Sequence, residues 1–133
     1  MSRENLETLR TGYDWFRDHG RFPDHLATPD FVWDMSHFHG WPEQQVYEGM
    51  KGANEFLAAW GGSWDDWVVE VQEMHDVDER VVSIVRQRGR SKLSGMLSEM
   101  SFAMVWTFRD GLESRMDMYS DPREALRALG VER

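Results

Sequence analysis

The chain contains no cysteine. Disulfide bridges, thiol nucleophiles and thiolate metal sites are therefore excluded, and a cytoplasmic setting is expected. Proline is scarce, with four in the whole chain, and no segment is of low complexity. That argues against an extended linker. Basic residues are few: 15 Lys and Arg stand against 24 Asp and Glu, giving a formal net charge of −9. A nucleic-acid partner would need a basic face, and an anionic membrane would be repelled for the same reason. No apolar run approaches the roughly 20 residues that a bilayer-spanning helix requires. The start, Met1-Ser2-Arg3-Glu4-Asn5, lacks the apolar core of a signal peptide. No nucleotide or flavin motif is present, so no cofactor is expected.

What is present is a hydrophobic content of 41% in 133 residues, with seven tryptophans. That is enough for one folded domain spanning 1–133. The most regular stretch runs from Met96 to Phe108. Met96, Ser98, Met100, Phe102, Met104, Trp106 and Phe108 alternate with Leu97, Glu99, Ser101, Ala103, Val105 and Thr107. A period of two over that length predicts a long strand. Arg109-Asp110-Gly111 supplies a hairpin turn. A return strand then sets Met116 and Met118 against Arg115, Asp117 and Tyr119. A sheet face of methionines and aromatic rings is either core or the wall of an apolar pocket.

Earlier in the chain the period changes. Ser2 opens a helix whose apolar stripe is Leu6, Leu9, Tyr13 and Phe16, and Gly20 ends it. A helical turn near Asp24 precedes a strand over Asp30 to Met35. Ser36 to Gln45 reads as a loop. A second helix, Met50 to Trp60, carries Met50, Ala53, Phe56, Leu57 and Trp60 on one side. Strands are expected over Trp67 to Met74 and Arg80 to Arg88, followed by a polar hairpin loop from Gly89 to Gly95. Asp121-Pro122-Arg123-Glu124 combines a capping aspartate, proline at the first helical position and glutamate at the third. Helices early and strands late indicate an α+β fold.

Two side chains stand out as chemistry. Asp34 lies between Trp33 and Met35, with no Lys or Arg within three positions. A carboxylate desolvated there would have a raised pKa and suit a general base. The alternative is a strand-closing aspartate that hydrogen-bonds the turn at Ser36 and His37. Tyr13 sits on the buried stripe of the first helix. Its phenol would either donate to a substrate oxygen or bond to another core group. His37 and His39 flank Phe38 at a spacing seen in some metal sites, but further ligands are not evident, and no metal is expected. Either histidine could instead shuttle a proton near neutral pH.

Several stretches, taken in order, resemble the SnoaL-like family of the nuclear-transport-factor-like superfamily. They are Leu9-Arg10-Thr11-Gly12-Tyr13, Phe31-Val32-Trp33-Asp34, Val46-Tyr47-Glu48-Gly49 with Gly52, and Arg80-Val81-Val82 with Gly89-Arg90. They continue with Val105-Trp106-Thr107-Phe108-Arg109-Asp110-Gly111 and Tyr119-Ser120-Asp121 with Glu124-Ala125-Leu126. The resemblance covers nearly the whole chain. It implies a cone-shaped, curved antiparallel sheet wrapped around the N-terminal helices, with an apolar cavity open at one end. In ketosteroid isomerases of this superfamily, a worked example of carboxylate tuning, the base falls at Asp34 and the oxyanion-binding tyrosine at Tyr13. Their second acid falls at Met104. The acid/base aspartate of SnoaL-type cyclases falls at Met118, and the Arg-x-Asp element of the epoxide hydrolases has only Arg86-Gln87-Arg88 as a counterpart.

The pocket implied by the resemblance would be lined by Trp33, His37, His39, Trp41, Tyr47 and Phe56 from the first half. Met100, Phe102, Met104, Trp106, Met116 and Met118 would complete it. Two functions follow as expectations. One is an isomerase, cyclase or dehydratase acting on a small apolar oxygenated molecule, with Asp34 as base and Tyr13 as donor. The other is a binding or scaffold module that has lost the acids of its relatives. A homodimer through the outer sheet face is expected in either case.

Overall fold

Helical spacing of apolar side chains builds the first element. The computed structural model describes residues 2–39 and 45–131. Helix α1 (Ser2–His19) buries Asn5, Leu9, Tyr13 and Phe16, steps of four, four and three that keep one face inward. Gly20, at φ +73°, ends it. A 3-10 turn at Asp24–Leu26 leads into strand β1 (Ala27–His37). Strand β2 (Val46–Glu48) pairs antiparallel with β1 and runs into helix α2 (Gly49–Gly61), which buries Met50, Ala53, Phe56 and Leu57. Four long strands follow: β3 (Trp64–Val77), β4 (Arg80–Ser91), β5 (Leu97–Arg109) and β6 (Leu112–Tyr119). Helix α3 (Pro122–Leu129) starts where Asp121 accepts the backbone N–H of Arg123 at 2.9 Å.

The strands form one curved, unclosed sheet in the order β2-β1-β6-β5-β4-β3. The expected α+β architecture holds, and β5 pairs with β6 as predicted. One detail is corrected. The β1–β6 pairing is parallel, so the sheet is mixed rather than wholly antiparallel. A sequence pattern does not reveal that a first strand returns to lie beside a last one. Three strands are also longer than expected: β1 takes in Ser36 and His37, expected to be loop, β3 spans Trp64–Val77, and β4 continues through Gly89 to Ser91.

Turns and close approaches explain local choices. Asp110 and Gly111 take φ of +54° and +80°, the paired left-handed values of a two-residue hairpin. A Cβ at Gly61 would meet the Trp67 ring at 2.5 Å, so only glycine lets that ring lie against the end of α2.

The sheet has two differently used faces. The inner face packs on α1 and α2 through Phe31, Trp33, Met35, Val81, Val85, Trp106 and Met116. The outer face is partly covered by α3, whose Ala125 and Leu126 cluster with Val82, Ile84, Ala103 and Val105. Alternation on β5 therefore separates two apolar clusters instead of core from water.

Strand β6 breaks its own alternation. Thr107 pairs with Arg115, but Phe108 pairs with Glu113, so Ser114 is an extra residue, a β-bulge. The Ser114 hydroxyl donates to the Thr107 carbonyl at 3.1 Å. The bulge brings Glu113 to the buried side with Met116 and Met118.

Candidate functional site

An apolar cavity of about 30 Å³ lies between the two N-terminal helices and the inner sheet face, room for a water molecule or two. Tyr13, Phe16 and Phe22 line one side, and Phe56, Leu57 and Trp60 of α2 another. Met35 and Phe38 close the β1 side, with Trp67 and Val69 opposite. The sheet contributes Gln87, Phe102, Met104 and Met118. Among the described residues, this wall holds no carboxylate, imidazole, lysine or arginine.

Five of the expected pocket and catalytic residues meet at the cavity: Tyr13, Phe56, Phe102, Met104 and Met118. Trp33, Trp106 and Met116 are inward but lie in the packed core and do not line the cavity. Met100 and Tyr47 are partly buried against that core, with Tyr47 5.2 Å from Phe56. His37 is exposed and stacks on Tyr119 at 4.5 Å, while exposed His39 lies 3.1 Å from the Glu124 carboxylate. Neither histidine lines the cavity. Trp41 lies outside the described residues.

Asp34 does not reach the cavity, which corrects the expectation that it is a desolvated base. Phe31, Trp33 and Met35 take the inner face of β1, so alternation turns Asp34 to the outer face. There its Oδ1 accepts the Ser36 N–H at 2.8 Å, and its Oδ2 is ion-paired with Arg115. Arg115 Nε also holds both oxygens of Asp117 at 3.0 Å. Desolvation pushes the Asp34 carboxyl up. Hydrogen bonding from Ser36, with the charge of Arg115, outweighs it and leaves the carboxyl below its ordinary range. The cation comes from β6, 81 residues away in sequence. Of the strand-closing alternative, the hydrogen bond to Ser36 is realised, but β1 does not end at Asp34 and runs on to His37.

Tyr13 is likewise a satisfied core phenol. Its Oη lies 2.6 Å from Ser83 Oγ and 3.2 Å from Met104 Sδ, and it accepts the Trp106 indole N–H at 3.2 Å. Ser83 is fully buried and donates onward to the Met104 carbonyl at 3.4 Å. The Tyr13 pKa is raised, chiefly by burial. A phenol so placed does not ionise near neutral pH.

Two buried polar residues were not foreseen. Gln87, 2% exposed, carries the cavity's carboxamide. Its inward parity with Val81, Ser83 and Val85 was legible as a period of two. Glu113 is fully buried, and neither carboxyl oxygen has a hydrogen-bond partner. Burial pushes its pKa up to about 8. A Cβ built on Gly12 would lie 3.5 Å from Glu113 Oε2, which places the carboxyl under α1, and Glu113 does not line the cavity. The bulge that hides it leaves no mark in the alternation.

Comparison with known proteins gives the same architecture. The SnoaL-like domain family model matches residues 7–116, and the chain belongs to that family. No curated protein matches it. Among solved structures, TerC co-crystallised with polyporic acid is 25% identical, at a TM-score of 0.72 over 95% of this chain and 97% of that one. A putative SnoaL-like polyketide cyclase from Jannaschia sp. CCS1 is 20% identical, at a TM-score of 0.73 over 99% of this chain and 95% of that one. A ketosteroid-isomerase-like protein from Catenulispora acidiphila, in complex with trimethylamine, is 12% identical at 0.62, over 82% and 80%. The last two share the fold alone.

Proposed function

We propose that the chain is a small-molecule-binding SnoaL-like protein whose cavity takes a flat, largely apolar, oxygen-bearing molecule without acid–base turnover. The observation that carries the reading is the cavity wall. Isomerase, cyclase or dehydratase chemistry by general acid/base catalysis would need a group that gains or loses a proton near neutral pH. The described wall offers Tyr13 alone, with its hydroxyl already engaged by Ser83 and Trp106. Met104 and Met118, at the positions where relatives carry acids, are both wall residues.

The cavity is smaller than such a ligand. Met35, Met104 and Met118 of its wall are unbranched and repack at low cost. A bound ring would take the place of methionine side chains and exchange one apolar contact for another. The co-crystal of TerC with polyporic acid, an oxygen-bearing molecule by its name, supports an oxygenated ligand.

The test is calorimetric titration with aromatic ketones and phenols, on the wild type and on Leu57→Trp, which fills the cavity from α2. Ligand at a hundred times its Kd should stabilise the wild type by about 2.7 kcal/mol in parallel melts. Leu57→Trp should bind at least tenfold more weakly. Failure of every ligand to bind, or equal binding by Leu57→Trp, overturns the proposal. So does turnover of any of them that Asp34→Asn abolishes.

A further inference from the structure

We infer that Gln87 orients the ligand, presenting carboxamide N–H donors to an acceptor oxygen, so that the cavity selects carbonyl-bearing rings. The inference rests on the reading of the cavity as a binding site and goes on to name the chemistry recognised there.

Gln87 sits on the inner face of β4, between Arg86 and Arg88, whose side chains go to the other face. There Arg86 is ion-paired with Glu99, and Arg88 lies 3.4 Å from Glu70. Gln87 is 2% exposed and belongs to the cavity wall. Its Oε1 accepts the Trp60 indole N–H at 2.6 Å. An indole nitrogen donates and never accepts, so this bond fixes which end of the amide is oxygen. The amide NH2 then points away from Trp60. No acceptor among the described residues takes it, and it is not among the fully enclosed side-chain atoms that lack a partner. On this inference its open side is the cavity, which Gln87 lines.

Among the other polar groups near the cavity, Tyr13, Ser83 and Trp106 are committed, whereas the buried indole N–H of Trp67 has no hydrogen-bond partner. Trp106 donates to Tyr13, Tyr13 and Ser83 share a hydrogen bond, and Ser83 donates to a carbonyl. The free hydrogen-bonding capacity at the wall is therefore of donor type and comes from Gln87 and Trp67. A buried donor left unmatched is unfavourable, so a ligand offering a carbonyl there is favoured over its hydrocarbon equivalent. Trp60 serves as a positioning residue, because it holds the amide in the productive orientation.

The experiment is titration calorimetry with 1-tetralone and tetralin, which share a bicyclic frame and differ in one carbonyl. The readout is the ratio of the two affinities, which cancels their shared apolar contacts. That ratio should be about tenfold higher in the wild type than in Gln87→Leu, equal to one neutral hydrogen bond of about 1.4 kcal/mol. Trp60→Phe, which releases the amide, should give an intermediate ratio. Gln87→Met replaces Gln87→Leu if circular dichroism shows that the latter does not fold. Equal ratios in wild type and Gln87 variant overturn the role of Gln87 and leave the binding reading standing. If neither compound binds the wild type, the binding reading fails and the inference falls with it.

Discussion

Removing the charge-bearing capacity of Glu113 should make this protein more stable. The Glu113 carboxyl is fully buried, has no hydrogen-bond partner and titrates at about 8 instead of 4.5. Its charge would reach the Tyr13 phenol. At neutral pH the folded protein keeps this carboxyl protonated, while the unfolded chain ionises it. Stability is therefore fully present below about pH 4.5, falls as pH rises toward 8, and levels off above it, the reverse of a salt-bridged carboxylate. At pH 7 the cost is the proton's 2.5-unit mismatch, about 3 kcal/mol at 1.36 kcal/mol per unit.

Glu113→Gln keeps the shape and the buried polar head but cannot ionise. Urea unfolding followed by tryptophan fluorescence should show the variant about 3 kcal/mol more stable than wild type at pH 7. The gap should widen toward pH 8 and close near pH 4.5. A wild type whose stability does not fall between pH 5 and 8, or a glutamine variant less stable at pH 8, would refute the reasoning. Either result would mean that the carboxyl meets water or a cation in solution.

Arg115→Met should raise the Asp34 pKa, read by carboxyl-carbon NMR. It should cost roughly 1 kcal/mol at pH 7, discounted because the arginine is partly open to water. The native Asp34 pKa lies below 3.8, so that deficit should fade as pH falls below this value. Asp121→Ala removes the cap of α3 and should cost about 1 kcal/mol in urea unfolding; an unchanged midpoint would count against the cap. The expected homodimer would have to use outer-face positions that α3 leaves open, such as Glu99 and Ser101. Sedimentation at micromolar concentration should show a dimer that Ser101→Arg weakens, and a monomeric wild type would remove it.

The sequence by itself determined the element order. Long alternating runs such as Met96 to Phe108 read as strands because a period of two survives any tertiary arrangement. The Asp121-Pro122 start and the Asp110-Gly111 turn were legible because caps and left-handed turns act within four residues. The inner positions of Tyr13, Met104 and Met118 followed from the same periodicities. Tertiary structure decided the chemistry. The Asp34 pKa depends on Arg115, brought alongside by a parallel pairing of β1 with β6. No window of neighbouring residues contains that contact. Tyr13 found its partners on β4 and β5, so its hydroxyl was used before any ligand arrived. Glu113 was buried by one extra residue in β6, and a single-residue slip in a strand reverses which face a side chain takes. Periodicity is a local property of the chain. Which charges meet, and which are left alone, is set by strands that pair across most of its length.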